Sequence, residues 1–191
     1  MIKYHAVNKT KSEKGGMMTS NAQDLAKILK TAIEVEDNGF DTFTRFADQT
    51  ADENGRRMFK RLAADELEHK EILEKQLKNL SEGGSWEGIQ IPPSSVEKLL
   101  PAIRDKQKRT KGESGLGELD ALNTALDLER KTAQFFRDKA EEVDNHEAKA
   151  LFIRLAEWED AHFEWIQAEL DYINNTGLWF GVPEFRMDGS Y

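Results

Sequence analysis

Six residues in this chain have the types and spacing to hold metal: Glu36, Glu66, His69, Glu129, Glu159 and His162. They form two sets, Glu36 with Glu66-x-x-His69 and Glu129 with Glu159-x-x-His162, and each member of the second lies 93 residues beyond its mate in the first. An α-helix turns once every ~3.6 residues, so a Glu and a His three apart project from one face about 60° apart and can reach one ion. Two such pairs and two single glutamates give four carboxylates and two imidazoles, the donors of a dinuclear carboxylate site in a four-helix bundle. Two divalent cations neutralise the four carboxylates. Without metal, burial and mutual repulsion are expected to raise some of their pKa values.

The same displacement relates Ala32 to Ala125, Phe43 to Phe136, Phe59 to Phe152, Leu62 to Leu155 and Ala63 to Ala156. Residues 32–77 and 125–170 are therefore two copies of one helix hairpin. Apolar residues at helical spacing predict a first helix from about Asn21, with Asp24 completing a capping-box-like start, to about Asp48. A second runs from about Asn54 to Leu80 and a third from about Glu118 to Val143. Asp144 and Glu147 read as a capping box for a fourth over about His146 to Asn175, with Gly177 closing it. Helices of about 28 residues are roughly 42 Å long, which puts the four glutamates near mid-height. All six candidates lie inside apolar stripes, where a carboxylate or imidazole is costly unless paired or bound to metal. A buried salt-bridge network inherited from a metal-binding ancestor is the weaker explanation, since the helix interiors offer too few fixed cations to pair four carboxylates.

Outside the repeats, residues 1–20 read as a loose polar arm. Residues 81–117, with Gly83-Gly84, Gly88, Pro92-Pro93 and Pro101, read as a crossover along the bundle that packs the second hairpin inverted on the first. The tail, 177–191, carries Trp179, Phe180 and Phe185 and is expected to pack on the bundle or on another subunit. The expected architecture is one all-α domain, a four-helix bundle spanning 21–176.

The whole-chain balance agrees with a cation-binding bundle. Among 191 residues, 36 acidic side chains outnumber 27 basic ones for a net charge of −9, which argues against a nucleic-acid partner and favours a cation. There is no cysteine, which excludes thiolate iron sites, iron–sulfur clusters and zinc ribbons, so a redox metal must be held by oxygen and nitrogen. No stretch has the apolar length of a membrane span or a secretion signal, so a membrane is not expected as partner and the cytoplasm is the expected location.

The order Glu36, Glu66-x-x-His69, Glu129, Glu159-x-x-His162, with its duplication, resembles the ferritin-like di-iron proteins, most closely their rubrerythrin-like branch, over about residues 21–175. A lone Glu-x-x-His pair carries little weight on a charged helix, but two, each preceded by a glutamate at equal distance, are specific. The resemblance implies a ferritin-like fold and two iron ions, with manganese or zinc as possible substitutes. It implies Glu36 and Glu129 as terminal ligands, Glu66 and Glu159 as bridges, and His69 and His162 each capping one ion, with no catalytic residue beyond these ligands. It further implies reduction of hydrogen peroxide or dioxygen with electrons from an external donor protein, and a homodimer. Ferroxidase activity for iron storage or detoxification is the alternative, with substrate hydroxylation third.

The chain departs from that pattern in several places. Rubrerythrins proper carry a cysteine-bearing rubredoxin-type domain, which no residue here can supply, so electrons must come from a separate carrier. Phe43 and Phe136 stand where many relatives have tyrosine. Thr132 stands where rubrerythrins offer a further glutamate, with Gly39 as its mate, which weakens a ligand-switching mechanism. Gly39 costs about 1 kcal/mol against alanine inside a helix. It is read either as room for an oxidant beside the metals or as close helix packing, with packing favoured.

Overall fold

The structure, a computed structural model, describes residues 20–83, 86 and 116–176. These form four helices: α1 (Ser20–Gln49), α2 (Glu53–Ser81), α3 (Leu116–Glu142) and α4 (His146–Thr176). Of the expected segments, the arm, nearly all of the crossover and the tail with Gly177 lie outside the described residues. Among the described residues no helix is long and apolar enough to cross a membrane.

Each hairpin turns through a side-chain cap at equivalent positions of the repeat. Asp52 ends the first turn: its Oδ1 accepts from the backbone N–H of Asn54 at 2.7 Å and of Gly55 at 3.3 Å. Asn145 Oδ1 accepts from the N–H of Ala148 at 2.7 Å. Each cap satisfies donors that a helix start leaves open. The expected capping residue Asp144 is thus displaced by its neighbour Asn145, the repeat mate of Asp52.

α1 packs along α2, and α3 along α4, while α1 meets α3 only sparsely. Two apolar layers fill the interior. One gathers Phe43 and Phe46 from late α1, Met58, Phe59 and Leu62 from early α2, Leu122 and Leu126 from early α3, and Trp165, Ile166 and Ile173 from late α4. The other gathers Leu25 and Leu29, Leu73 and Leu80, Phe136 and Ala140, and Leu151, Phe152, Leu155 and Trp158 from the opposite helix ends. Those memberships fix the directions: α1 and α4 run one way, α2 and α3 the other. α2 accordingly ends, and α3 begins, at opposite ends of the bundle, the inverted packing expected of the second hairpin. Burying a Phe or Leu side chain contributes about 1.5–3 kcal/mol, so these layers are what hold the four helices together. Between them lies a band of buried polar side chains.

Candidate metal centre

That band contains all six residues singled out by spacing. Glu36 projects from α1 between Ala32 and Phe43, Glu66 and His69 from α2 between Leu62 and Leu73, and Glu129 from α3 between Leu126 and Ala133. Glu159 and His162 project from α4 between Leu155 and Ile166. None exposes more than 2% of its surface. Helix periodicity makes this unavoidable: residues in register with the apolar stripe follow it inward.

The side chains face one another. His69 Nδ1 stands 3.1 Å from Glu159 Oε1, 3.5 Å from Glu36 Oε2 and 3.9 Å from Glu66 Oε2. His162 Nδ1 stands 3.2 Å from Glu66 Oε1, 3.4 Å from Glu129 Oε1 and 3.7 Å from Glu159 Oε2. The two imidazoles lie nearly parallel, 14° apart, with ring centroids separated by 5.6 Å. Two four-residue groups result, Glu36, Glu66, His69 and Glu159, then Glu66, Glu129, Glu159 and His162, and in each the facing ligand atoms lie within 4.8 Å of one another. Glu66 and Glu159 belong to both. An ion with bonds of about 2.1 Å holds its ligands at most about 4.2 Å apart, so small side-chain shifts complete either group.

Unmet polar atoms test whether cations fit. Glu36 Oε1 and Oε2, Glu66 Oε1, His69 Nδ1, Glu129 Oε1, Glu159 Oε1 and Oε2, and His162 Nδ1 and Nε2 are buried without a hydrogen-bond partner among the described residues. Buried polar groups are nearly always satisfied, and each exception costs about 1–3 kcal/mol. So dense a set of exceptions in one place fits bound cations, and oxygen and nitrogen donors without sulfur suit first-row metals of the iron and manganese kind.

Electrostatics supports the same fit. Burial, then the neighbouring Glu66 and Glu159, pushes the Glu36 carboxyl well above its ordinary range. Burial and Glu159 do the same to Glu129. Burial also acts to raise Glu159, but Glu129 and the two imidazoles outweigh it and hold this carboxyl low. His162 is pushed well above its ordinary value despite burial, by Glu129, Asp65 and Glu159. Protons thus stand where cations would neutralise the charge.

Two features around the site were not read from spacing. Asp65 is buried, with Oδ2 3.5 Å from His162 Nε2 and Oδ1 3.0 Å from Arg61 Nη2. Its signal was available, since it falls on the same stripe as Leu62 and His69. Trp158, its repeat mate, instead stacks on the His69 ring at 4.4 Å and 17°. The second feature is the approach to Gly39. A Cβ there would come within 3.0 Å of Glu66 Oε2 and 3.1 Å of Glu66 Cδ. The Glu66 side chain therefore fills the space that one reading of Gly39 had set aside for an oxidant, and close packing is its role.

No curated protein and no solved structure matches the chain. Compared with known protein families, residues 27–170 match Rubrerythrin, a stretch that begins within α1, ends within α4 and contains every member of the buried cluster. With four helices ordered as a ferritin-like bundle and a carboxylate–histidine cluster at its centre, the chain belongs to the rubrerythrin family.

Proposed function

We propose that this chain is a di-iron oxidoreductase that reduces hydrogen peroxide or dioxygen with electrons from a separate donor protein. The observation that carries the reading is the convergence of two ligand groups on shared Glu66 and Glu159. Glu36 and His69 would hold one iron, Glu129 and His162 the other, with Glu66 and Glu159 between them. Manganese or zinc would fit the same donors. Two adjacent ferrous ions would together supply the two electrons that reduction of an O–O bond takes, and the donor protein would return them.

The protein's own part is to assemble and shield the site. The two apolar layers flank the polar band on both sides along the bundle and keep bulk water from its ends. Burial and neighbouring carboxylates raise Glu36 and Glu129, so metal uptake there would compete with protons. A cavity of about 390 Å³ opens between α1 and α3, where Val35 and Leu128 adjoin Glu36 and Glu129, and Thr132 lies one turn beyond Glu129. None of the six ligand candidates lines it, so passage of a small oxidant from it to the site would need side chains to move.

The test is anaerobic loading with two ferrous ions per chain, followed by rapid mixing with peroxide. Oxidation far faster than that of ferrous ion free in the same buffer is expected, and its loss in Glu159→Ala. A rate equal to that of free ferrous ion would defeat the proposal. Retention of many irons per chain would instead favour ferroxidase storage.

A further inference from the structure

The two metal positions are not chemically equivalent, and the repeat supplies the control that shows it. Residues 65 and 158 occupy the same place in the two hairpins, each immediately before the shared glutamate. One is an aspartate and the other a tryptophan. Arg61 and Arg154 are likewise mates. Arg61 pairs with Asp65 at 3.0 Å, whereas Arg154 sits over the Trp158 ring at 5.6 Å and pairs with Glu157 at 2.8 Å. One duplicated arginine thus backs two different supports.

Those supports act differently on an imidazole. A carboxylate opposite His162 Nε2 favours an N–H there as hydrogen-bond donor, which leaves the lone pair on Nδ1, the atom facing Glu66, Glu129 and Glu159. It also makes the ring a stronger donor to metal. The present 3.5 Å separation closes to a hydrogen bond with a few tenths of an ångström of ring movement. Trp158 can do neither. Its ring fixes the plane of His69 by stacking, but it offers no acceptor, and its own Nε1 is unpartnered among the described residues. The carboxylates facing His69, those of Glu36, Glu66 and Glu159, are met through its Nδ1.

We propose that Asp65 is a positioning residue for the His162 metal position, and that the asymmetry between Asp65 and Trp158 makes the two ions bind in order, His162 side first. The inference rests on the metal-centre reading and adds to it a rank between the two positions.

Anaerobic titration of the metal-free full-length chain with Co²⁺, followed by calorimetry and visible absorption, tests it. Two ions per chain are expected in two resolved steps. Asp65→Asn should weaken the tighter step by about 10–100-fold and leave the weaker one within about twofold, because an amide can turn its NH₂ toward Nε2 and impose the wrong tautomer. Trp158→Phe keeps a stacking ring and should leave the tighter step unchanged. Arg61→Gln, at a half-exposed position, should weaken that step less than Asp65→Asn and keeps the test available if the buried variant does not fold. At one equivalent of Zn²⁺, the ring nitrogens of His162 should shift in NMR spectra while those of His69 do not.

Two equal steps in the unsubstituted chain, equal weakening of both steps in Asp65→Asn, or His69 filling first would overturn the proposal and leave the metal centre standing. Failure to bind Co²⁺ at all would overturn the metal-centre reading itself.

Discussion

In the first hairpin Phe43 and Phe59 stack with centroids 6.3 Å apart and planes at 18°, and in the second Phe136 and Phe152 stack at 6.2 Å and 17°. The caps Asp52 and Asn145 also coincide in the repeat. Yet around the imidazoles the hairpins part company, with Asp65 against Trp158 and Gly39 against Thr132. Close-packed interiors penalise any change of volume, so the stacked phenylalanines are held to one solution in both copies, although elsewhere in the layers Phe46 and Trp165 have Lys139 and Ile72 as mates. A residue behind a ligand has only to support a ring, and aspartate and tryptophan do that by different physics. At the stacked phenylalanines packing preserves the repeat, and beside the buried cluster the two copies differ.

The sameness can be broken where it is strongest. Phe43→Ala and Phe136→Ala each remove a fully buried ring and should cost about 3–5 kcal/mol, the two losses agreeing within about 1 kcal/mol. Urea denaturation of the metal-free proteins measures this, and a clearly unequal pair of losses would mean that the layers are not equivalent.

Titration sharpens the comparison next. In the folded metal-free protein Glu36 and Glu129 hold protons above their ordinary value of 4.5, so the folded state binds more protons than the unfolded chain. Stability should therefore fall as pH rises from that value through the folded ones. His162, raised above 6.5, adds to the same decline from there upward. Denaturation at a series of pH values should show it, and metal loading should flatten it. Glu36→Gln and Glu129→Gln should each remove a comparable part, while a decline that survives both substitutions would place its origin elsewhere.

The smallest effect is expected at the Gly39 and Thr132 pair. Gly39→Ala gains about 1 kcal/mol of helix propensity but forces the Glu66 carboxylate aside, so stability should change by about 1 kcal/mol or less while Co²⁺ binding weakens. Thr132→Ala should leave binding unaltered. Equal binding by Gly39→Ala and the unsubstituted chain would show that Glu66 has room to spare.

The repeat made the helices and the buried cluster legible because each of Glu36, Glu66 and His69 has a mate at one offset and falls on an apolar stripe. Asp65 escaped for the converse reason: its mate is tryptophan, and an acid beside Glu66 on a charged helix looks like one more solvated carboxylate. Asn145 was missed in favour of Asp144, although its mate Asp52 pointed to it. The packing of Glu66 on Gly39 is a contact between helices, which spacing along one helix does not encode.

Each ligand group draws one carboxylate from the opposite hairpin, Glu159 for the group containing Glu36 and Glu66 for the group containing Glu129. Since α1 and α3 barely touch, drawing the hairpins apart strips a ligand from both groups in the same motion. On the proposed function, loading would work as a latch. A filled protein should resist proteolysis and mechanical pulling more than an empty one, whose hairpins are held together by the two apolar layers.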